Sequence, residues 1–316
     1  MKAWARPFLL FLFMASMRSL SSAQAQGADT GAPLLFASDT QEPMRVEEIL
    51  LRPNQNKRAT QALFKDMLAQ LPTELFLLGD VVNLGYKPRR WEYIDSALVL
   101  AHERGFNVHG ILGNHELMGR PRKGESNFQR RFPGHVRTGY VVLKDSIAVV
   151  LLNSNFQKLS AQDIATQDAW YMRTLAELDQ ANDVRAVIVC CHHSPFSNSR
   201  LVGSSPAVQR HFVPPFLNST KACVLISGHA HMFQHFAVQG KHFFVIGGGG
   251  GLHHPTREVP IPEVCLDPGY DPMFHYLTAQ LQGNALHLVS RRLADDFSGF
   301  EDGCDFVIDL PAIAEQ

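Results

Sequence analysis

The feature that most constrains this chain of 316 residues is a pattern in which a short apolar run is followed at once by oxygen and imidazole side chains. Such runs are typical of buried strands, and parallel strands bring their carboxyl ends to one edge of a sheet. We therefore expect the polar side chains to share one site. The five polar segments are Ser38-Asp39-Thr40-Gln41, Gly79-Asp80-Val81-Val82-Asn83, Gly113-Asn114-His115-Glu116, Cys191-His192-His193 and Gly228-His229-Ala230-His231.

Helical and strand-like segments alternate along much of the chain. Apolar residues share one helical face in 57–71, and the segments 88–103 and 160–180 are also predicted helices. Ser160 and Asp163 form a capping pair at the start of the third helix. This alternation predicts parallel strand pairing with right-handed crossovers.

Short apolar runs separated by turn residues fill the last third of the chain. They predict antiparallel strands of a second sheet, at 233–238, 242–246, 276–281 and 285–289. Five consecutive glycines occupy 247–251, but the Lys-Ser/Thr pair and the helix of a phosphate-binding loop do not follow them. We interpret the glycine run as a flexible bend after a strand, with a loop bordering the site as the alternative.

The amino terminus has the pattern of a secretory signal. Lys2 and Arg6 precede a short apolar stretch, and Ala23-Gln24-Ala25 fits the small-x-small cleavage rule. The apolar stretch is shorter than the roughly 20 residues that a membrane span needs. We predict a signal peptide at 1–25, a single domain at 26–316, a secreted or periplasmic protein, and no stable membrane insertion after cleavage.

The composition limits the classes of partner and of cross-link. The net charge is −1 and the pI is near 6.9, so no global positive field favours nucleic acid, and we expect none to bind. Five cysteines are an odd number, so one at least lies outside any pairing within the chain. We interpret Cys190, Cys191 and Cys223 as buried thiols, and Cys265 with Cys304 as the best disulfide candidates.

The residue types in the five segments suit two divalent cations that share one hydrolysis. Such a pair binds phosphoryl oxygens, lowers the pKa of a bridging water and neutralises charge in the transition state. Asp80 is the candidate bridging carboxylate, and Asn114 offers an amide oxygen. The candidate imidazoles are His192, His229 and His231. His193 competes with His192 for one position, and the strand before them and Ser194-Pro195 after them favour His192.

In this order the segments resemble the motifs of the calcineurin-like metallophosphoesterases, also called the purple-acid-phosphatase-like superfamily. The motifs are D-x-(H/Q), GDxx(D/N), GNH(D/E), a strand followed by His, and GHxH, and the resemblance spans about 34–231. It implies an α/β fold in which two packed mixed β-sheets form a central sandwich flanked by helices. It also implies a phosphoric ester hydrolase with a dinuclear metal centre, a metal-activated water and a small phosphorylated substrate.

The resemblance implies a role for each motif residue. One metal would bind Asp39, Gln41, Asp80 and His231. The other would bind Asp80, Asn114, His192 and His229. The catalytic residues would be Asp80, which bridges the metals, and His115, which contacts the phosphate and protonates the leaving oxygen.

Two residues depart from the common family pattern. Gln41 stands where the first motif usually has His, and a neutral oxygen ligand makes that site harder. Asn83 stands where the purple phosphatases have Tyr, which argues against a tyrosinate-ligated Fe(III) centre. The oxygen and nitrogen ligands suit Mn, Fe or Zn, and they also admit Ni or Co.

Three questions stay open at the level of sequence. The leading hypothesis is a phosphomonoesterase or phosphodiesterase. The alternatives are a catalytically weak or inactive metal-binding scaffold of the same fold, and a nucleotide pyrophosphatase or nuclease branch. The oligomeric state is unknown. A basic stretch follows the third motif, and it is either a solvated loop or a rim for an anionic substrate; it contains Arg120, Arg122, Lys123, Arg130 and Arg131.

Metal content is the first testable consequence. The predicted ligands hold two cations on oxygen and nitrogen without a thiolate. Metal analysis of the purified, reconstituted protein is therefore expected to approach two ions per chain. Full activity in a preparation with no bound metal would contradict the predicted mechanism.

Overall fold

The computed structural model describes residues 31–51, 55–71, 73–259, 261, 264–265 and 269–311. The predicted signal peptide at 1–25 lies outside the described residues and stays a prediction. In the described part of the chain, no helix is long and apolar enough to span a bilayer.

The described residues form strands and helices that alternate through most of the chain. The strands are β1 (Leu34–Ala37), β2 (Glu74–Leu77), β3 (Asn107–Gly110), β4 (Tyr140–Lys144), β5 (Ile147–Leu151), β6 (Ala186–Cys191), β7 (Ala222–Ser227), β8 (Phe233–Val238), β9 (Lys241–Ile246), β10 (Val264–Cys265), β11 (His275–Gln282), β12 (Ala285–Leu293) and β13 (Phe300–Asp309). The helices are α1 (Arg45–Leu50), α2 (Asn56–Met67), α3 (Glu92–Glu103), α4 (Pro121–Gln129), α5 (Ala161–Gln180), α6 (Pro206–His211) and α7 (Val213–Asn218).

These strands build two mixed sheets. One sheet has six strands in the order β13-β12-β11-β1-β2-β3, and the other has seven in the order β10-β8-β9-β7-β6-β5-β4. The neighbours β1, β2 and β3 are parallel, as are β5, β6, β7 and β9. The predicted fold class, two packed mixed sheets flanked by helices, is confirmed.

Alternating side chains along each central strand separate a middle core from two outer cores. In β1, Leu34 and Phe36 enter the core between the sheets, whereas Leu35 and Ala37 face helices α2 and α3. In β6 the same period of two sends Cys190 inward and Cys191 toward the helices on the other side. Each fully buried large apolar side chain contributes about 1.5–3 kcal/mol to folding, so the sandwich rests on this alternation.

The cysteines fit their predicted roles where they are described. Cys190 and Cys191 are free and fully buried, and Cys223 is free and partly buried. Burial raises the pKa of each thiol, which disfavours the thiolate. The side chain of Cys265 lies outside the described residues, so its pairing with Cys304 stays a prediction.

The prediction that the late strands form one second sheet is wrong. The run at 233–238 and the run at 242–246 become β8 and β9, which extend the sheet of β4–β7. The other two runs become β11 and β12, and β11 pairs antiparallel with β1. Alternation along a strand shows which face is buried, but the partner strand is chosen by contacts far away in the sequence.

The predicted helices are present with shifted ends. The helix predicted at 57–71 ends at Met67, and the one predicted at 88–103 begins at Glu92 after a single 3-10 turn, Pro88–Arg90. The capping pair of α5 is confirmed, because Ser160 Oγ accepts from the N–H of Asp163 at 3.1 Å. Strand β13 was not predicted, since most of its side chains are exposed and polar.

Candidate metal centre

The predicted ligands lie on five loops that meet at one end of the sandwich. Three loops follow β1, β2 and β3 of the six-stranded sheet, and two follow β6 and β7 of the seven-stranded sheet. The carboxyl ends of the parallel strands in both sheets therefore contribute to one site. The structure brings all seven predicted ligands together: Asp39, Gln41, Asp80, Asn114, His192, His229 and His231.

Three of these residues have left-handed backbone conformations. The φ angles are 58° at Asp39, 49° at Asp80 and 66° at His229. This region costs a residue with a side chain about 1–2 kcal/mol, and such residues concentrate at functional sites. Gly79 before Asp80 is also left-handed, and a Cβ there would collide with the backbone of Gly113. The turns are thus held against local preference by the surrounding structure.

Each central carboxylate uses one oxygen for the loops and leaves the other for the site. Asp39 Oδ2 accepts from the N–H of His229 at 2.8 Å, and Asp80 Oδ1 accepts from the N–H of His115 at 2.8 Å. Asp39 Oδ1 is buried and has no hydrogen-bond partner among the described residues. Buried carboxylate oxygens are normally paired, so this atom is suited to bind a cation.

The first group of ligand atoms contains Asp39, Gln41 and His231. The Gln41 amide satisfies its neighbours when its nitrogen donates to the carbonyl oxygens of Asp39 and Asp80, at 3.2 and 2.7 Å. Its oxygen then lies 3.3 Å from His231 Nε2, which is 3.4 Å from Asp39 Oδ1. His231 Nδ1 donates to the carbonyl oxygen of Leu252 at 2.8 Å. Three lone pairs therefore face one point.

The second group repeats this arrangement with Asp80, Asn114 and His192. His192 Nδ1 donates to the carbonyl oxygen of Leu78 at 2.9 Å, so its Nε2 presents a lone pair. That Nε2 lies 3.1 Å from Asn114 Oδ1 and 3.2 Å from Asp80 Oδ2. The His229 ring is 5.2 Å from the His192 ring and lies beside the same group.

The two groups fit divalent cations. Bonds of about 2.0–2.2 Å to one cation separate its ligand atoms by roughly 3 Å, as found in both groups. The donors are carboxylate, amide and imidazole, which suits first-row metals. The backbone carbonyls that accept from each Nδ1 fix the imidazoles in the orientation that metal ligands require.

Charge coupling within the cluster is strong. Burial lowers the pKa of His192, but the carboxylates of Asp80 and Asp39 outweigh it and raise the pKa to about 9. Burial also lowers the pKa of His231, but the hydrogen bond and charge of Asp39 outweigh burial, so this pKa is raised. The pKa of Asp80 is lowered, since His192 and His115 overcome its burial. Without metal, the carboxylates favour the protonated forms of His192 and His231, and cations would take the place of those protons; burial instead holds the pKa of His229 well below its ordinary value.

Glu116 holds two of the loops together, a role that the sequence did not assign. This fully buried carboxylate accepts from the N–H groups of Asp80 at 2.9 Å, Val82 at 3.0 Å and Gly113 at 2.8 Å. Burial and the nearby Asp80 charge raise its pKa to about 7. Its place at the end of the third motif was the only sequence signal, and that signal did not separate support from ligation.

His115 lies at the mouth of the second group. Its Nδ1 donates to the carbonyl oxygen of Asn83 at 3.1 Å, which leaves Nε2 directed toward the site, 3.9 Å from Asp80 Oδ2. The side chain is only slightly exposed. The backbone bond fixes the tautomer, so the free Nε2 is the atom that a ligand bound at the second group would meet.

His193 lies beside the second group, whereas His192 is the residue in contact with Asp80 and Asn114. The His193 ring centroid is 4.5 Å from that of His229, and its Nδ1 hydrogen-bonds with Ser154 Oγ at 2.9 Å. Its Nε2 is available to the site. His193 is therefore an additional neighbour of the second group, and His192 keeps the predicted ligand position.

The histidines at 253 and 254 have separate environments. His254 is buried, stacks on the His231 ring at 4.2 Å, and accepts at Nδ1 from Ser199 Oγ at 3.2 Å. Burial lowers its pKa to about 2, so this ring stays neutral beside His231. His253 pairs with Asp271 at 3.1 Å. His254 therefore packs against His231, a predicted metal ligand, and helps to hold its ring in place.

The five glycines at 247–251 form a bend after β9 that packs against the site, as expected for a loop that borders it. All five are buried, and the N–H of Gly251 donates to the carbonyl oxygen of Asp39 at 2.9 Å. A Cβ at Gly251 would overlap the His231 imidazole, and one at Gly249 would overlap the Ser38 carbonyl. Glycine is required because this backbone touches the loop after β1.

The Gln41 orientation predicts how the first group responds to substitution. Gln41→His should raise affinity for Zn, because imidazole is the better donor to it. Gln41→Ala should weaken the same group and leave the second group, around His192, occupied. Competition titrations and metal stoichiometry measure both effects, with exposed Gln162→Ala as the control. Unchanged affinity and activity in both Gln41 variants would place this residue outside the coordination shell.

The packing of the glycine run predicts a second effect. Gly251→Ala should displace the His231 ring, lower the free energy of unfolding by about 1–3 kcal/mol and weaken the first metal position. Gly134→Ala is the matched control, since a Cβ there meets nothing within 4 Å. Thermal unfolding and metal titration report the two effects. Equal behaviour of both variants would contradict the tight packing.

Comparisons with known proteins agree with this arrangement. The calcineurin-like phosphoesterase family matches residues 32–233. No curated protein matches the chain in sequence. Among solved structures, purple acid phosphatase PPD1 from yellow lupin (Lupinus luteus) has a TM-score of 0.67 and 14% identity, over 88% of this chain and 53% of the lupin chain. This chain thus spans about half the length of the lupin protein.

Two further structures share the fold. GAP50, the anchor in the inner membrane complex of Plasmodium, has a TM-score of 0.63 and 11% identity, over 90% of each chain. A dimetal phosphatase from Danio rerio has a TM-score of 0.51 and 15% identity, over 89% of this chain and 99% of that one. These similarities establish the fold, and the family match extends over more than half of the sequence. The chain belongs to the calcineurin-like phosphoesterase family.

Proposed function

We propose that this protein is a secreted or periplasmic phosphoester hydrolase that uses a dinuclear metal centre on small phosphorylated substrates. The observation that carries the proposal is the pair of converging ligand groups, one at His231 and one at His192. The pattern at 1–25 is the basis for the proposed export.

The ligand assignment follows the two groups. Asp39, Gln41 and His231 would hold one cation, and Asn114, His192 and His229 would hold the other. Asp80 lies between them, because its Oδ2 faces His192 while its backbone carbonyl anchors Gln41. Bound cations supply charge neutralisation and an activated water for attack on phosphorus. The protein fixes the ligands beforehand, so little reorganisation accompanies binding.

His115 is the proposed proton donor to the leaving oxygen. The Nδ1–H bond to Asn83 leaves Nε2 as the atom that gains and loses the transferred proton. The N–H of the same residue donates to Asp80 Oδ1, so the ring and the carboxylate keep a fixed relation. Protonating the leaving group in the transition state is general acid catalysis.

The complete ligand set supports catalysis over the scaffold alternative. A scaffold that only binds metal has no need for His115, whose Nε2 is directed toward the site although this residue is not among the predicted ligands. The near-neutral net charge supports a small substrate over nucleic acid.

A substrate panel tests the proposal. Phosphomonoesters, phosphodiesters and nucleotide pyrophosphates are assayed with Mn, Zn, Fe, Ni and Mg separately, and p-nitrophenyl phosphate is compared with single-stranded DNA. We expect metal-dependent turnover of a small ester. Turnover of DNA alone would support the nuclease branch, and no turnover with two metals bound would support the scaffold.

Two substitutions separate the roles of the central residues. Asp80→Ala removes a ligand near both groups and should abolish metal binding and turnover together. His115→Ala should retain the metals and lower kcat by roughly two to four decades, the usual span for acid–base groups. Metal analysis and steady-state kinetics measure both, with exposed His102→Ala as the control. Metal loss in His115→Ala with retention in Asp80→Ala would reverse the roles.

A further inference from the structure

A large cleft lies beside the metal centre, and none of the predicted ligands lines it. Its volume is about 870 Å³, which is within the range of small-molecule sites. The walls come from the segment after the third motif, the loop after β5 and the start of α5. We call it the basic cleft, after its cationic residues: Arg120, Arg122, Lys123, Arg137 and Lys158.

Neighbours of the ligands form the inner wall of the basic cleft. Leu112 stands two residues before Asn114, and Leu117 stands two residues after His115. On the other side, Asn153 precedes Ser154, whose hydroxyl contacts His193 at 2.9 Å. The cleft therefore lies near the second metal group, because its inner wall is formed by chain neighbours of Asn114, His115 and Ser154.

The positive charge of the basic cleft is largely uncompensated. Its two acidic residues, Glu125 and Asp163, both lie near Arg137, at 3.5 and 4.0 Å. Asp163 is further engaged in the capping box of α5, where its carboxylate accepts from the N–H of Ser160. The other four cations of the cleft are exposed and form no ion pair with any described residue. A cleft with low-dielectric walls focuses the field of such charges on a bound anion.

The segment that carries these cations has a fixed position relative to the site. A Cβ at Gly124 of α4 would overlap the carbonyl oxygen of Glu116, so the helix backbone touches the third-motif loop. Asn127 Nδ2 donates to the carbonyl oxygen of Gly85 at 2.8 Å, and Phe128 is fully buried. Arg122 and Lys123 thus extend from an anchored helix, which argues against a solvated loop at these two positions.

We infer that the basic cleft binds a second phosphoryl group carried by the leaving group of the substrate. This inference rests on the proposed function and narrows its substrate class. The leaving group is then either an alcohol that already carries a phosphoryl group or, in a phosphoanhydride, a phosphate. Arg122 and Lys123 bind the distal phosphoryl group while the metal centre holds the reacting one. Guanidinium and ammonium groups are the side chains suited to this contact.

A charge-removal variant tests the inference. Arg122→Gln with Lys123→Gln removes two cations from the cleft, and Lys65→Gln with Arg173→Gln removes two exposed cations elsewhere. Metal-loaded proteins are assayed with glucose 6-phosphate and glucose 1,6-bisphosphate, which differ by one phosphoryl group. We expect kcat/KM for the bisphosphate to fall about tenfold or more in the cleft variant only, with the monophosphate nearly unchanged. An equal fall for both substrates, or no fall, would overturn the inference.

A binding measurement separates this inference from the proposed function. If the chain hydrolyses no substrate, calorimetry measures binding of inorganic tripolyphosphate to the metal-loaded protein and to both double variants. Weaker binding in the cleft variant alone supports phosphoryl binding in the basic cleft, even if the protein hydrolyses no substrate. Equal affinity in the three proteins refutes phosphoryl binding in the basic cleft, whether or not the protein is active.

Discussion

The structure of the metal centre depends on one buried carboxylate, that of Glu116. By accepting three backbone N–H groups, it fixes the turn after β2 to the turn after β3. Hydrogen bonds contribute about 0.5–1.5 kcal/mol each, so the three together are enough to offset the left-handed backbone of Asp80. Asp80 then faces His192, and His115 is held against Asp80, so both the ligand group and the proposed acid follow from this anchor.

The position of the site was readable from the sequence because parallel strands impose a common direction. Asp39 and Asp80 follow parallel strands of one sheet, and His192 and His229 follow parallel strands of the other, so the rule places each pair at one edge of its sheet. The strand before them and Ser194-Pro195 after them also favoured His192 over His193, and His192 is the residue that contacts Asp80 and Asn114. These are local rules, and they hold wherever the backbone is regular.

Other features were beyond local rules. The choice of β1 as partner for β11 depends on which edge the six-stranded sheet leaves open, and no periodicity encodes that. The purpose of the glycine run depends on the His231 ring touching Gly251, a contact between distant segments. The support given by Glu116 and by Ser154 consists of hydrogen bonds to groups that a sequence does not place.

The ligand groups join the first strand to the seventh, since His229 donates its N–H to Asp39 across 190 positions. Closing so long a loop is entropically costly, and the centre is complete only when both sheets are assembled. Any cation held there selects the finished domain over every partly folded form and stabilises it in proportion to the logarithm of its concentration. The metal centre therefore also stabilises the tertiary structure by joining its two sheets. The resistance of the protein to heat and proteolysis then depends on the concentration of metal around it.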